Sequence, residues 1–244
     1  MLSLWKNKKV SVIFPTYNEK ESIYYAIQDF FSTGYIDEII VVNNNAAPGT
    51  SEEVAKTKAI EIFEKKQGYG YAIRSGLKEA KGDILIISEP DGTFLGKDVL
   101  KLLAYSNDFE VVFGTRTRTA LIEKDADMGL FLRVGNWTLA KIIEFLFNTT
   151  SLSDVGCTMR LFKREALEKI RNKFTIGGSQ FGPEMMLLTI LNDIKFVEIP
   201  VHYTKRIGKS SVTGNKFVAF ILGLNMLRLI SRYRIKSIFW RKKK

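Results

Sequence analysis

Apolar positions along the chain follow two rhythms. Short β-branched runs, VSVIF at 10–14, DEIIVV at 37–42, DILIIS at 83–88 and FEVVFG at 109–114, have strand length and turn residues at their ends. Between them apolar residues recur at helical spacing. EKESIYYAIQDFFSTG stops at Gly34, TSEEVAKTKAIEIFEKK at 50–66 opens on Thr-Ser with acids in its first turn, and YAIRSGLKEAKG closes at Gly82. Strand, helix, strand, helix at this spacing predicts βαβ units, a mainly parallel α/β sheet with helices on both faces. Such sheets bind ligands beyond the carboxyl ends of their strands. The loops PTYNE, NNNAAPGT and EPDGT, which follow the first three runs, therefore share one edge.

The second half is less regular. It predicts a long apolar helix over 129–148, a strand at 157–163, a helix at 183–193 with proline in first position, and a strand at 195–203. Together these complete a pocket opposite the three loops. FVAFILGLNMLRLI at 217–230 is apolar, but it is shorter than the ~20 residues of a membrane span and contains Asn225 and Arg228. As a helix it sets Asn225, Arg228, Arg232 and Lys236 on one polar stripe, with SIFWRKKK beyond. That pattern suits a helix lying in a membrane interface; packing on the domain or a homo-oligomer contact is the alternative. The expected division is a catalytic domain over 1–205 and a basic loop plus amphipathic helix over 206–244.

Charge sharpens this division. The formal net charge is +11, and the segment after Glu198 holds 12 Lys and Arg with no acid. The excess cation is thus a C-terminal feature, suited to an anionic membrane surface or phosphate-bearing ligands. Nucleic acid is a remote alternative, because no nucleic-acid motif accompanies the charge. A lone cysteine, Cys157, excludes an internal disulfide and suits a reducing compartment. MLSLWKNKK lacks the apolar core of a cleavable signal, so the expectation is a cytoplasmic protein, peripheral at the membrane face.

The chemistry concentrates in LIISEPDGTF. Pro90 fixes its own φ and holds Glu89 extended, and residues two apart in an extended segment share a side. Glu89 and Asp91 form a stiff pair of oxygen ligands suited to Mg²⁺ or Mn²⁺, which take one or two carboxylates and fill the rest of their shell from phosphates and water. The same letters also spell an ordinary Pro-Asp-Gly turn.

VSVIFPTYNEKESI, EIIVVNNN, GYGYAIRSGLKEAKGDILIISEPDGTF and VVFGTRTR, in that order, resemble the family 2 glycosyltransferases of GT-A fold. LRVGNWTLAKII, SLSDVGCTMRLFKREAL and FGPEMMLL look like the dolichyl- and polyprenyl-phosphate sugar synthase branch. The resemblance implies a nucleotide site at Pro15, Tyr17, Glu19, Asn43, Asn44, Gly70 and Arg74, with Asn43 and Asn44 standing where the family has paired aspartates. It implies a metal at Glu89 and Asp91, and Arg116 and Arg133 near phosphate groups. Asp154 and Arg160 form a candidate structural ion pair. Arg206, Lys209 and Ser211 would belong to a loop closing over a diphosphate.

Two enzymatic readings follow. In the first, a sugar moves with inversion from a UDP- or GDP-sugar to a lipid phosphate, whose oxygen is already anionic and needs no base. In the second the acceptor is a sugar hydroxyl, and Glu184, after Pro183, serves as general base. Family members that act on hydroxyls carry a Glu-Asp pair there; here no Asp follows Glu184. His202 reads as a strand residue rather than a catalyst.

Overall fold

The computed structural model describes residues 5–126, 128–208 and 216–241. Its seven strands are β1 (Val10–Thr16), β2 (Glu38–Asn43), β3 (Ile60–Phe63), β4 (Ile84–Ile87), β5 (Val111–Thr115), β6 (Arg160–Lys163) and β7 (Phe196–Pro200). Its helices are α1 (Lys20–Ser32), α2 (Thr50–Ala55), α3 (Tyr69–Glu79), α4 (Val99–Tyr105), α5 (Leu130–Phe147), α6 (Arg164–Glu168), α7 (Phe181–Leu191) and α8 (Lys216–Arg241). The strands join in one sheet of order β3-β2-β1-β4-β6-β5-β7. β1 pairs parallel with β2 and β4, while β6 runs antiparallel between β4 and β5. The mainly parallel sheet expected from the rhythm is present, with one reversed strand.

Every residue of β1 is buried, since helices cover both faces. Val10, Val12 and Phe14 point into a cluster with Ile23, Ile27 and Phe30 of α1. Ile13 points the other way, into a cluster built with α3, α5, α7 and α8. The α3 axis comes so close to the sheet that a Cβ at Gly76 would lie 2.5 Å from Ile13.

The expected helix over 50–66 is not what forms. α2 stops at Ala55, and Ile60–Phe63 makes the edge strand β3, paired parallel with β2 from Ile40–Ile60 to Asn43–Phe63. The free backbone groups of the β2 edge capture a segment whose own pattern alternates, and strand length suffices for the match. In α7, helix begins at Phe181, so Pro183 lies within the first turn rather than opening it. α8 lies on α5 and α7, and its Met226, Leu229, Ile230 and Tyr233 join the same core cluster as Ile13. No helix among the described residues is long and apolar enough to cross a membrane.

Candidate active site

β1, β2 and β4 end at Thr16, Asn43 and Ile87 on one edge, so the three loops meet there. A cavity of about 540 Å³ opens above them. Pro15, Tyr17, Glu19 and Asn44 line it, as do Glu89, Arg116 and Arg206. Sequence reasoning named all seven.

The acidic pair sits where β4 ends. Asp91 is fully buried; its Oδ1 accepts hydrogen bonds from the Thr93 amide (2.9 Å) and hydroxyl (2.5 Å). Gly92 follows with φ 82°, the left-handed turn that glycine adopts at low cost. Arg206 reaches back over both acids: its guanidinium lies 2.5 Å from Asp91 Oδ2 and 3.0 Å from Glu89 Oε2. Apart from that ion contact, Asp91 Oδ2 has no hydrogen-bond donor. Burial, then the neighbouring Asp91 charge, pushes the Glu89 carboxyl up to about 8. Two carboxylates held this close want a cation between them, and the Arg206 guanidinium fills that role. The segment carrying it is tied down, since the Ile207 amide donates to Asp91 O at 2.8 Å and the Thr204 amide to Thr93 O at 2.9 Å.

This donor set fits a hard divalent ion. Asp91 Oδ2 is a buried oxygen whose one close partner is the Arg206 guanidinium, and Glu89 stands beside it. Among the described residues no cluster of three or more acids, histidines or cysteines exists, so the remaining ligands of such an ion would be phosphate oxygens and water.

The asparagines of the second loop are explained by their bonds. Asn44 Nδ2 donates to the carbonyls of Glu64 (2.7 Å) and Lys66 (2.9 Å), and its Oδ1 accepts from the Gly68 amide (2.8 Å). Asn43 Nδ2 donates to Glu61 Oε1 (3.0 Å) while its Oδ1 accepts from the Ala46 amide (2.8 Å). An aspartate could make none of these donations. Asn44 staples the β2 loop to the segment after β3, while Asn43 ties the end of β2 to its own loop and to Glu61 of β3 and does not reach the cavity. Glu19 is similar: its Oε2 accepts from the Tyr17 and Asn18 amides and so shapes the first loop.

Other expected residues lie elsewhere. A Cβ on Gly70 would sit 2.7 Å from the Ile176 carbonyl oxygen, so this glycine answers to packing against the 176–177 segment and lies off the cavity. Arg74, on α3, also stays outside the lining. Arg133 faces away, toward a second cavity on the other side of α5. Lys209 and Ser211 lie outside the described residues.

Glu184 is fully buried and off the cavity. Its Oε1 accepts from the Thr175 amide (2.9 Å), the Thr175 hydroxyl (2.6 Å) and the Tyr233 hydroxyl (2.7 Å), and its Oε2 from the Ile176 amide (2.9 Å). A carboxylate so fully committed ties α7 to α8 and has no oxygen free to take a proton from an acceptor.

Asp154 pairs with Arg116, not with Arg160. Arg116 Nε and Nη2 reach Asp154 Oδ2 and Oδ1 at 2.8 and 3.0 Å, and the guanidinium stacks 5.0 Å from the Tyr203 ring centre. Arg160 donates instead to the carbonyls of Val155, Cys157 and Gly182. Both arginines line the cavity as fixed cations.

The apolar half of the cavity was not foreseen. Above the strand ends it runs between α5 and α8, lined by Leu132, Leu139, Ile142, Phe220, Leu224 and Leu227. Gly135 and Gly223 border it, and a Cβ at either would meet nothing within 4 Å. The paired apolar helices were the available signal; which faces they leave open depends on how they pack.

Comparison with known proteins supplies the context. A sequence model described as glycosyl transferase family 2 matches residues 11–171. The low-salt glycan biosynthesis hexosyltransferase Agl6 of Haloferax volcanii is 28% identical over 226 residues; these span 87% of this chain but only 53% of that protein. The human dolichyl-phosphate beta-glucosyltransferase is 25% identical over 270 residues, 98% of this chain and 80% of its own length. Among solved structures, glucosyl-3-phosphoglycerate synthase from Mycobacterium tuberculosis in complex with UDP superposes with a TM-score of 0.73 at 14% identity. That match covers 94% of this chain and 81% of the other, and it shows a shared fold.

Proposed function

We propose, from the premise that this chain belongs to glycosyl transferase family 2, that it moves a hexosyl group from a nucleotide diphosphate sugar to a polyprenyl, dolichyl-type phosphate. The observation that carries the reading is the cavity itself. A polar floor at the strand ends, with fixed acids and arginines, continues without a break into an apolar cleft between α5 and α8. A nucleotide sugar suits the floor; only an acceptor with a hydrocarbon chain suits the cleft. The dolichyl-phosphate relatives are consistent with that acceptor class.

The chain's own residues supply position and charge. Pro15, Tyr17 and Asn44 border the nucleotide. Asp91 and Glu89 would hold Mg²⁺ or Mn²⁺, which supplies positive charge to the leaving diphosphate. Arg206 then leaves the acids for the phosphate oxygens, keeping its planar fork on an oxyanion. Arg116, locked by Asp154, offers its remaining guanidinium edge to the acceptor phosphate. That phosphate oxygen attacks the anomeric carbon from the side opposite the leaving group, so configuration inverts. No base is required, because a phosphate monoester is anionic near neutral pH. The full engagement of Glu184 supports this over the hydroxyl-acceptor reading.

The exposed apolar residues of α8, among them Phe217, Phe220, Ile221, Ile235 and Ile238, support docking on an anionic membrane. The cytoplasmic face is the side the reading assigns. The test is transfer of labelled sugar from UDP- and GDP-sugars, with Mn²⁺ present or chelated, to polyprenyl phosphate and to glycan acceptors. Metal-dependent product on the lipid phosphate is expected. Product on a glycan hydroxyl with polyprenyl phosphate inert would transfer the assignment to the hydroxyl reading.

A further inference from the structure

α5 separates two cavities. Leu132, Gly135, Asn136 and Leu139 face the candidate active site. Leu130, Arg133, Val134, Trp137 and Lys141, a stripe at helical spacing, face a second cavity of about 590 Å³. That volume lies within the range of about 300–1,000 Å³ typical of small-ligand sites.

The floor of the second cavity is a cluster of hydroxyls at the end of β5. Thr115 and Thr117 lie 3.0 Å apart, and Ser153 lies 2.8 Å from Thr115 and 3.1 Å from Thr117. Either oxygen of each pair can be the donor, so a threonine proton can turn toward a ligand oxygen. Three cations surround this floor: Arg118, Arg133 and Lys141. Lys141 is paired with Glu144 at 2.7 Å. The side chains of Arg118 and Arg133 have no hydrogen-bond or ion-pair partner among the described residues.

Glu198 is the carboxylate of the lining, and it is already engaged: Oε2 accepts from the Ser153 hydroxyl at 2.5 Å and Oε1 from the Asp154 amide at 3.0 Å. A neutral polyol could bond to the hydroxyls but would leave the Arg118 and Arg133 charges without a counter-charge. An oxyanion would find guanidinium forks and hydroxyl donors. At the mouth stand Leu130, Val134 and Trp137, all about half exposed or more. Tryptophan beside apolar residues and cations is the composition of a membrane–water boundary.

We propose that this cavity is a second anion site, separate from the transfer site, that binds a phosphate ester. Arg118 and Arg133 clamp the phosphate oxygens, the threonine hydroxyls donate from the floor, and Trp137 packs on the carbon frame of the ligand. The phosphate can be carried by a phospholipid headgroup or by a soluble ester, and the experiment separates the two.

The full chain is titrated with vesicles of phosphatidylcholine, with vesicles also containing phosphatidic acid, and with glycerol 3-phosphate. Co-sedimentation and Trp137 emission are read, with Trp137→Phe identifying that signal. The Arg118→Ala/Arg133→Ala variant removes two cations that have no structural partner among the described residues; Thr117→Val keeps the charge and removes a floor donor. A lipid source predicts a Trp137 shift with phosphatidic acid vesicles and binding weakened roughly 25-fold in the double variant, about fivefold per basic residue. A soluble source predicts a saturable shift with glycerol 3-phosphate that the double variant abolishes and Thr117→Val weakens. Unaltered Trp137 emission with both probes would overturn the site. So would an equal loss of vesicle binding in Lys58→Ala/Lys78→Ala, since those exposed residues report surface charge alone.

Discussion

The floor of the cavity and its α5–α8 flank use side chains in opposite ways. On the floor polar groups are committed to one another: Asn44 to three backbone groups and Arg116 to Asp154. On the flank Phe220, Leu224 and Leu227 stay partly in water, and Gly135 and Gly223 face empty space. A floor built this way holds its geometry before a ligand arrives, which suits charge stabilisation at a reacting centre. A flank built this way is unfinished, and a hydrocarbon chain or membrane completes it. The difference teaches that precision and accommodation are assigned to different secondary structures: strand ends for the first, helix faces for the second.

The sharpest way to break that contrast is at Asp91. Asp91→Asn keeps size and the Thr93 contacts but removes one charge from the acidic pair. Turnover should fall roughly 100-fold or more, the scale of losing one preorganised electrostatic group. Mn²⁺-dependent binding of the nucleoside diphosphate, followed by calorimetry, should fall with it. Normal turnover would make EPDGT a turn and nothing more.

Glu184 tests whether the floor's support is structural. Glu184→Ala leaves the donors of Thr175, Ile176 and Tyr233 without an acceptor in the core. A loss of about 3 kcal/mol in unfolding free energy is expected, since each stranded buried donor costs about 1–3 kcal/mol and water recovers part of it. Tyr233→Phe strands no donor and should cost about 1.5 kcal/mol, the net value of one bond to a charged group. Urea melts of both variants give the comparison. A Glu184 variant of full stability but no turnover would restore the general base.

The flank is tested by filling it. Gly135→Leu places a side chain in the open cleft, well outside the acidic pair. The ratio of kcat/KM for long-chain over short-chain polyprenyl phosphates should drop about tenfold, within the roughly 1–3 kcal/mol that an apolar pocket commands. An unchanged ratio would place the hydrocarbon chain elsewhere.

Much of the floor was legible in the sequence because its signals are local. β-branched runs ended by Pro15 and by Glu89-Pro90-Asp91 locate strand ends without knowledge of the rest of the chain. What failed was long-range. β3 was hidden because its fate depends on the free edge of β2. Arg133 belongs to a recognisable motif, yet helical phase turns it to the far face of α5. Glu184 reads as a general base from its neighbours in sequence, while its partners Thr175 and Tyr233 lie 9 and 49 residues away. Gly70 sits in a glycine-rich stretch of the kind that lines a ligand, and it serves a close backbone approach instead.

The smallest expected effect lies at Glu198, on the second cavity across α5 from the floor and flank. Burial pushes this carboxyl up to about 6, although the Ser153 hydroxyl and the Asp154 amide both favour its charged form. A raised carboxylate pKa means the folded protein holds the proton more tightly than the unfolded chain does. The stability it contributes is therefore complete below the unfolded value of 4.5 and is lost as pH rises through about 6. Glu198→Gln stays neutral throughout and escapes that loss. Relative to the native chain the variant should gain stability between those pH values, by about 1 kcal/mol once solvent screening at a partly exposed group is allowed for. Thermal melts of both proteins across that interval measure the difference, and the sign is decisive. A variant that loses ground as pH rises would mean that the hydroxyl and amide donors outweigh burial. The second cavity would then hold a carboxylate as fully committed as the groups of the active-site floor, and the unfinished character would be confined to the α5–α8 cleft.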